Sequence, residues 1–342
     1  MPNARSVPGT YRQLSLAAVP VGMPKESDFR LQEAPIPQPG RGEVLVQGLY
    51  LSVDPYVRGR MGGASGYARA IHQGEVITGG VVGRVLLSND PRFGPGDIVE
   101  GMLGWQEYAV APARSLRRID PAVAPVSTAL YVLGMPGLTA YFGLLEICKP
   151  QQGETVVVSA GAGAIGSLVG QIARIRRCRA IGIVGSPEKS EFITRELGFD
   201  GAIDYRATPE FSQRLKELAP NGVDVYFDNV GGVITDQVIR HLSTGARIAV
   251  CGQISQYNNV EPEIGPRWMG HLVAKQARAE GFLVHQFMER FEPALKQLTS
   301  WLTENKLHYR EDVVIGLENA PRAFIRMLSG QNIGKQLVKL AE

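Results

Sequence analysis

Three glycines in mid-chain, Gly161, Gly163 and Gly166, follow the spacing G-x-G-x-x-G. In that spacing the first glycine permits a tight turn and the second lets the backbone approach a pyrophosphate. The third lets a helix pack closely on a strand. The apolar run Thr155-Val156-Val157-Val158-Ser159 comes before them, and Ile165, Leu168, Val169 and Ile172 recur at helical spacing after them. The pattern predicts a strand, a phosphate-binding turn and an amphipathic helix whose first-turn N–H groups face an anion. A second apolar run, Ala180-Ile181-Gly182-Ile183-Val184, stands where the next parallel strand is expected.

The end of that second run bears on which dinucleotide is held. NAD-binding sequences place an Asp or Glu about 20 residues on, against the ribose 2′-hydroxyl. Here the place reads Val184-Gly185-Ser186-Pro187-Glu188-Lys189. Small residues leave room for a 2′-phosphate, and Lys189 supplies a cation one turn later. Glu188, beyond Pro187, is expected to point away. The reading is therefore NADPH.

Other chemistries find no residues. Cys148, Cys178 and Cys251 lie far apart and make no C-x-x-C, so neither a zinc ribbon nor a disulfide framework is expected. His72, His241, His271, His285 and His308 include no H-x-x-x-H, and no tyrosine begins a Y-x-x-x-K. The net charge of +3 is small, and no basic block points to nucleic acid. Arg174, Arg176, Arg177 and Arg179 fall at the end of the expected glycine-loop helix, where cations suit its dipole. No stretch approaches the run of about 18 apolar residues that a membrane span needs, and the N-terminus lacks the apolar core of a signal peptide. A cytoplasmic protein is expected.

The elements that must position these residues fall into two patterns. Residues 1 to about 125 carry short β runs and turn residues, such as Gly42-Glu43-Val44-Leu45-Val46-Gln47 and Phe93-Gly94-Pro95-Gly96-Asp97. They predict a β-rich domain. From Val126 strands and helices alternate, with strands expected near 154–160, 179–184, 201–205, 223–228, 246–251 and 280–284. That is the signature of an α/β doubly wound parallel sheet, the Rossmann arrangement. Beyond a helix near 290–304, two further strands predict that the chain from 306 to 342 returns to the first domain. The chain length of 342 residues allows both domains a core of their own. Gly62-Gly63-Ala64-Ser65-Gly66 predicts a mobile rim.

Nearly the whole chain resembles the medium-chain dehydrogenase/reductases, and within them the zinc-free alkenal/one double-bond reductases that include prostaglandin and curcumin reductases. The segments that carry the resemblance include Leu51-Ser52-Val53-Asp54-Pro55-Tyr56, Gly104-Trp105-Gln106-Glu107-Tyr108 and Gly134-Met135-Pro136-Gly137-Leu138-Thr139-Ala140-Tyr141. Later come Phe227-Asp228-Asn229-Val230-Gly231-Gly232, Cys251-Gly252-Gln253-Ile254-Ser255-Gln256-Tyr257-Asn258 and Gln331-Asn332-Ile333-Gly334-Lys335. The resemblance implies a GroES-like first domain, a Rossmann second domain and a homodimer formed at an edge of the nucleotide sheet. It implies that Gly163, Ala164, Ile165 and Gly166 meet the pyrophosphate, and that Gly185, Ser186, Lys189 and Tyr205 surround the 2′-phosphate. Thr139, Asn229, Cys251, Gly252, Gln253, Ile254, Ser255, Gln256, Tyr257, Phe282, Leu283, Val284 and Asn332 would line the rest of the cofactor. By periodicity alone Phe282-Leu283-Val284 reads as buried strand and Asn332 as a turn residue.

Zinc-dependent relatives hold their metal with Cys, His and a Gly-His-Glu segment. The corresponding stretch here, Ile77-Thr78-Gly79-Gly80-Val81-Val82-Gly83, has neither His nor Glu, and no cysteine precedes Cys148. What remains is hydride delivery to the β-carbon of an α,β-unsaturated ketone or aldehyde, whose charge moves onto oxygen. Such an oxyanion needs hydrogen-bond donors, worth roughly 2.7–4 kcal/mol each when well placed. Tyr257, with the nicotinamide ribose hydroxyl, is the expected donor, and Tyr56 the expected wall of the substrate site. A quinone reductase is the alternative enzyme; a nucleotide-binding protein without turnover is the alternative outside enzymes.

Overall fold

Thr155–Ser159 is buried at every position, as a strand covered on both faces must be. In the computed structural model, which describes residues 8–62 and 68–342, it is a central strand of a six-stranded sheet. To one side lie Arg179–Val184 and then Gly201–Asp204. To the other lie Val223–Asp228, Leu242–Val250 and Arg278–Gly281. Every pairing is parallel. The connections leave Thr155–Ser159 in one direction and Val223–Asp228 in the other, so the order of the sheet reverses between these two strands. Ligands of such sheets bind outside the strand ends at that reversal.

The sheet belongs to a compact unit of Tyr131–Glu311 and Asn332–Lys335. The helix Gly166–Ile175 buries Leu168, Val169 and Ile172, the stripe that its periodicity predicts. These side chains join Phe142, Val156, Val158, Phe199 and Phe227 in one apolar cluster. Arg176 caps the helix end, and Arg174 pairs with Asp200 at 2.9 Å. The last strand runs over Arg278–Gly281, earlier than the expected 280–284. Phe282 turns inward after it, and a 3₁₀ helix opens at Val284.

The other unit holds Met1–Leu130, Asp312–Gln331 and Gln336–Glu342. Its sheet of seven strands is antiparallel in the pairs Glu43–Ser52 with Val81–Ser88, Val81–Ser88 with Ile98–Gly101, and Lys335–Lys339 with Glu43–Ser52. Thr10–Leu16 and Phe29–Pro35 form a separate antiparallel pair. Trp105 is fully buried at the centre of this unit, stacked on Phe29 at 5.8 Å and edge-on to Phe324 at 5.7 Å. The glycine-rich rim lies, apart from Gly62, outside the described residues. Among the described residues no helix is long and apolar enough to cross a membrane.

Candidate functional site

The glycine turn begins where Thr155–Ser159 ends. Gly161 donates its N–H to the carbonyl of Ile183 at 2.9 Å, which fixes the turn to the neighbouring strand. A Cβ on Gly166 would lie 2.2 Å from the carbonyl oxygen of Ala160 and 3.0 Å from Gly161 Cα. Only glycine lets the helix start that close to the strand. Gly163, Ala164 and Ile165 form the partly exposed turn itself. No side chain caps the helix Gly166–Ile175, and its first turn has no acidic residue. Its positive end therefore has no anionic side chain of its own in the first turn.

Asn332 reaches the same turn from far along the chain. Gly334 donates to the carbonyl of Ala162 at 2.7 Å, and Asn332 Nδ2 donates to the carbonyl of Gly334 at 2.9 Å. That is why Asn332–Lys335 groups with the nucleotide unit.

At the next strand end, Ser186 caps the short helix Pro187–Glu191, its Oγ accepting the Lys189 N–H at 3.3 Å. Tyr205 donates its N–H to the carbonyl of Val184 at 3.0 Å, and its ring lies against Gly185, where a Cβ would approach it to 3.0 Å. Arg206, which the sequence did not single out, donates from Nε to Tyr205 Oη at 3.2 Å and sets its guanidinium 5.6 Å from the ring centre. Glu188 is exposed and lies 3.9 Å from Arg310. The strand tip at Val184-Gly185-Ser186 therefore carries no acid and has the Tyr205–Arg206 pair beside it.

Across the reversal, the buried carboxylate of Asp228 gathers the chain at the end of Val223–Asp228. Its Oδ1 accepts from Ser159 Oγ at 3.0 Å, Tyr226 Oη at 2.9 Å, and the N–H groups of Val230 and Gly231 at 3.0 Å. Thr235 Oγ1 donates to Oδ2 at 2.6 Å. Ser159 Oγ in turn accepts the Asn229 N–H at 2.8 Å, and Asn229 Nδ2 donates to the Ser159 carbonyl at 2.8 Å. The acid in Phe227-Asp228-Asn229 was visible in the sequence, but nothing there revealed its partners. Burial and Asp228 both push the Tyr226 phenol well up.

The segment 251–257 is tied to this strand end by its backbone. Cys251 and Gly252 donate to the carbonyl of Asp228 at 2.8 and 3.2 Å, and Ser255 Oγ donates to the carbonyl of Val230 at 2.7 Å. Ile254–Gln256 makes one 3₁₀ turn, after which Tyr257 folds back. Its Oη accepts the Gln253 N–H at 3.4 Å. Desolvation, with a smaller push from Asp228, raises the Cys251 thiol to about 12, so it stays neutral and is no nucleophile.

The remaining expected residues take various places. Thr139 donates from Oγ1 to the Met135 carbonyl at 2.7 Å within the helix Met135–Phe142. Phe282 is buried edge-on to Phe227 at 6.1 Å, Leu283 is exposed and Val284 is buried. In the β-rich unit, Tyr56 opens the helix Tyr56–Arg60 and packs on that unit's core. Gly79 lies in the stretch corresponding to the metal-binding segment. A Cβ there would come 2.8 Å from Trp105 Cδ1, so the indole takes the space a ligand side chain would need. Among the described residues no group of three or more His, Cys, Asp or Glu could hold a metal ion.

A doubly wound sheet with a glycine-rich turn, in one chain with a β-rich unit, is the architecture of the medium-chain dehydrogenases and reductases. Residues 12–119 match the family described as N-terminal domain of oxidoreductase, and residues 164–300 the one described as zinc-binding dehydrogenase. The putative NADP-dependent oxidoreductase YfmJ of Bacillus subtilis is 47% identical over 97% of this chain and 98% of its own length. The NADP(+)-dependent 2-alkenal reductase of Nicotiana tabacum is 43% identical over 96% of this chain and 97% of its own. The crystal structure of CurA from Vibrio vulnificus in complex with NADPH superposes with a TM-score of 0.92 at 44% identity, covering 97% of this chain and 99% of that one. The chain belongs to the alkenal/one double-bond reductase family of medium-chain dehydrogenase/reductases, with the curcumin and prostaglandin reductases.

Proposed function

We propose that this protein reduces the carbon–carbon double bond of α,β-unsaturated ketones and aldehydes with NADPH. The observation that carries the reading is the strand tip at Gly185 and Ser186, free of an acidic residue and flanked by Lys189 and the Tyr205–Arg206 pair. It sits in a chain 43% identical to a 2-alkenal reductase. The glycine turn fits a dinucleotide: its helix has no cap of its own, and a side chain at Gly166 would fill the approach.

In this reading the first-turn N–H groups after Gly163 bind the pyrophosphate, with Ala164, Ile165 and Gly166 shaping the turn. Lys189 and Tyr205 hold the 2′-phosphate, and Gly185 and Ser186 give it room. Asn229, Asn332, Thr139 and the segment 251–257 orient the nicotinamide end, with Phe282, Leu283 and Val284 beside it. The bound cofactor supplies the hydride. Tyr257 donates its phenolic proton as a hydrogen bond to the substrate oxygen as negative charge gathers there, and Tyr56 bounds the substrate. The phenolic oxygen accepts the Gln253 N–H, and a donor oriented before the reaction is what preorganised stabilisation requires. The reading includes a cytoplasmic homodimer formed at an edge of the parallel sheet.

The test follows nicotinamide absorbance with simple enones, enals, quinones and alcohols, using NADPH and NADH in turn. Turnover of enones with NADPH is expected. A preference for quinones, or for alcohols with NADP(+), would replace the reading.

A further inference from the structure

We infer that Asp228 is a positioning residue: through Ser159 it sets Asn229, and through its own carbonyl it sets the segment that bears Tyr257. The inference rests on the cofactor reading above and deepens it. Asp228 touches neither substrate nor cofactor in that reading. It stands where the order of the sheet reverses, and its carboxylate is surrounded entirely by donors.

The direction of each hydrogen bond carries the argument. A carboxylate oxygen accepts, and Ser159 gives its single proton to Asp228 Oδ1. That choice turns a Ser159 lone pair toward the Asn229 N–H, 2.8 Å away. The Asn229 side-chain amide then donates to the Ser159 carbonyl, which leaves its carbonyl oxygen as the end presented away from the strand. On the main chain, the Asp228 carbonyl receives Cys251 and Gly252, and the Asn229 and Val230 carbonyls receive Ile254 and Ser255. The strand end therefore meets one neighbour on each side, the Ser159 strand through the Asp228 carboxylate and the segment 251–257 through its main chain. Thr235 also donates to the carboxylate, but through Oδ2 and from the helix Gly232–Ile239.

This contrast supplies the test. Ser159→Ala and Thr235→Val each delete one hydroxyl donor to the same buried carboxylate. If the Asp228–Ser159–Asn229 chain of hydrogen bonds only stabilises the fold, the two variants should bind NADPH alike. The positioning role predicts a split: comparable losses in Tm, but a rise of about tenfold in the NADPH dissociation constant for Ser159→Ala alone. Thr235→Val should bind within about twofold of the parent. Binding is read by quenching of protein fluorescence, so the result does not depend on turnover. Ser159→Cys, which keeps the volume and weakens the hydrogen bonds, repeats the comparison if Ser159→Ala does not fold. Asp228→Asn, which brings an NH2 group among the donors, should raise the dissociation constant and also lower kcat with a saturating enone. Equal NADPH affinities for the Ser159 and Thr235 variants would overturn the inference. Failure of the parent protein to bind NADPH would instead overturn the cofactor reading.

Discussion

Two helices start from the same edge of the parallel sheet, on adjacent strands, and they differ in what the chain places just ahead of them. Gly166–Ile175 begins without a side-chain cap and with no acid in its first turn. Ahead of Gly232–Ile239, the chain brings its own carboxylate: Asp228 accepts the N–H groups of Val230 and Gly231, and Gly231 and Gly232 take positive φ values of 73° and 58° to allow it. The same backbone dipole thus serves two ends. In the proposed function one helix keeps its positive end for the pyrophosphate. Ahead of the other, Asp228 takes up the N–H groups of the turn that leads into it, and in the inference above that turn frames Asn229 and the segment 251–257. A site that must both bind and orient needs both kinds.

That difference can be attacked directly. Ala164→Asp puts a carboxylate beside the uncapped end, copying what Asp228 does next door. NADPH affinity should fall about 100-fold while Tm changes little, since the acid caps the helix it blocks. Titration calorimetry with differential scanning reads both quantities, and unchanged affinity would show that the pyrophosphate binds elsewhere.

The framed end should respond in kcat instead. Tyr257→Phe removes the donor and keeps the ring, so kcat with an enone should drop about 100-fold with little change in NADPH affinity. Full kcat in stopped-flow and steady-state assays would reduce Tyr257 to a residue that orders the ribose.

Smaller effects are expected at the 2′-phosphate. Lys189→Ala should lower kcat/KM for NADPH by about tenfold and leave NADH nearly untouched. Ser186→Asp should shift preference further toward NADH by placing an acid at the strand tip. Equal effects on both coenzymes would detach these residues from the phosphate.

The smallest effect concerns pH. The thiols of Cys148 and Cys251 are pushed up to about 12 by burial, from an ordinary value of 9.0. The unfolded chain ionises them first, so their neutral burial contributes full stability below about pH 9 and loses it as pH climbs toward 12. Tm should decline across that window, and Cys148→Ala should make the decline shallower. A flat Tm to pH 11 would contradict the burial of these groups.

The alternation of strands and helices, the glycine turn and the apolar stripe of Gly166–Ile175 were all legible, because each is a local pattern with its own period. So was the missing acid after Val184, since it needs only a count along the chain. The end of the last strand was misplaced because Phe282-Leu283-Val284 reads as an apolar run, while Phe282 packs edge-on to Phe227 and Val284 opens a 3₁₀ turn. Arg206 was passed over because an exposed arginine gains meaning only from the Tyr205 ring beside it.

The sequence by itself determined the class of ligand: glycine spacing and the residues after Val184 are short-range constraints that the backbone must obey wherever it lies. Tertiary structure alone decided which polar groups meet. Asn332 reaches Ala162 through Gly334, Ser159 links Asp228 to Asn229, and Trp105 fills the space beside Gly79. Each of these pairs joins residues remote in sequence, and the direction of a hydrogen bond is fixed only when donor and acceptor are both in place.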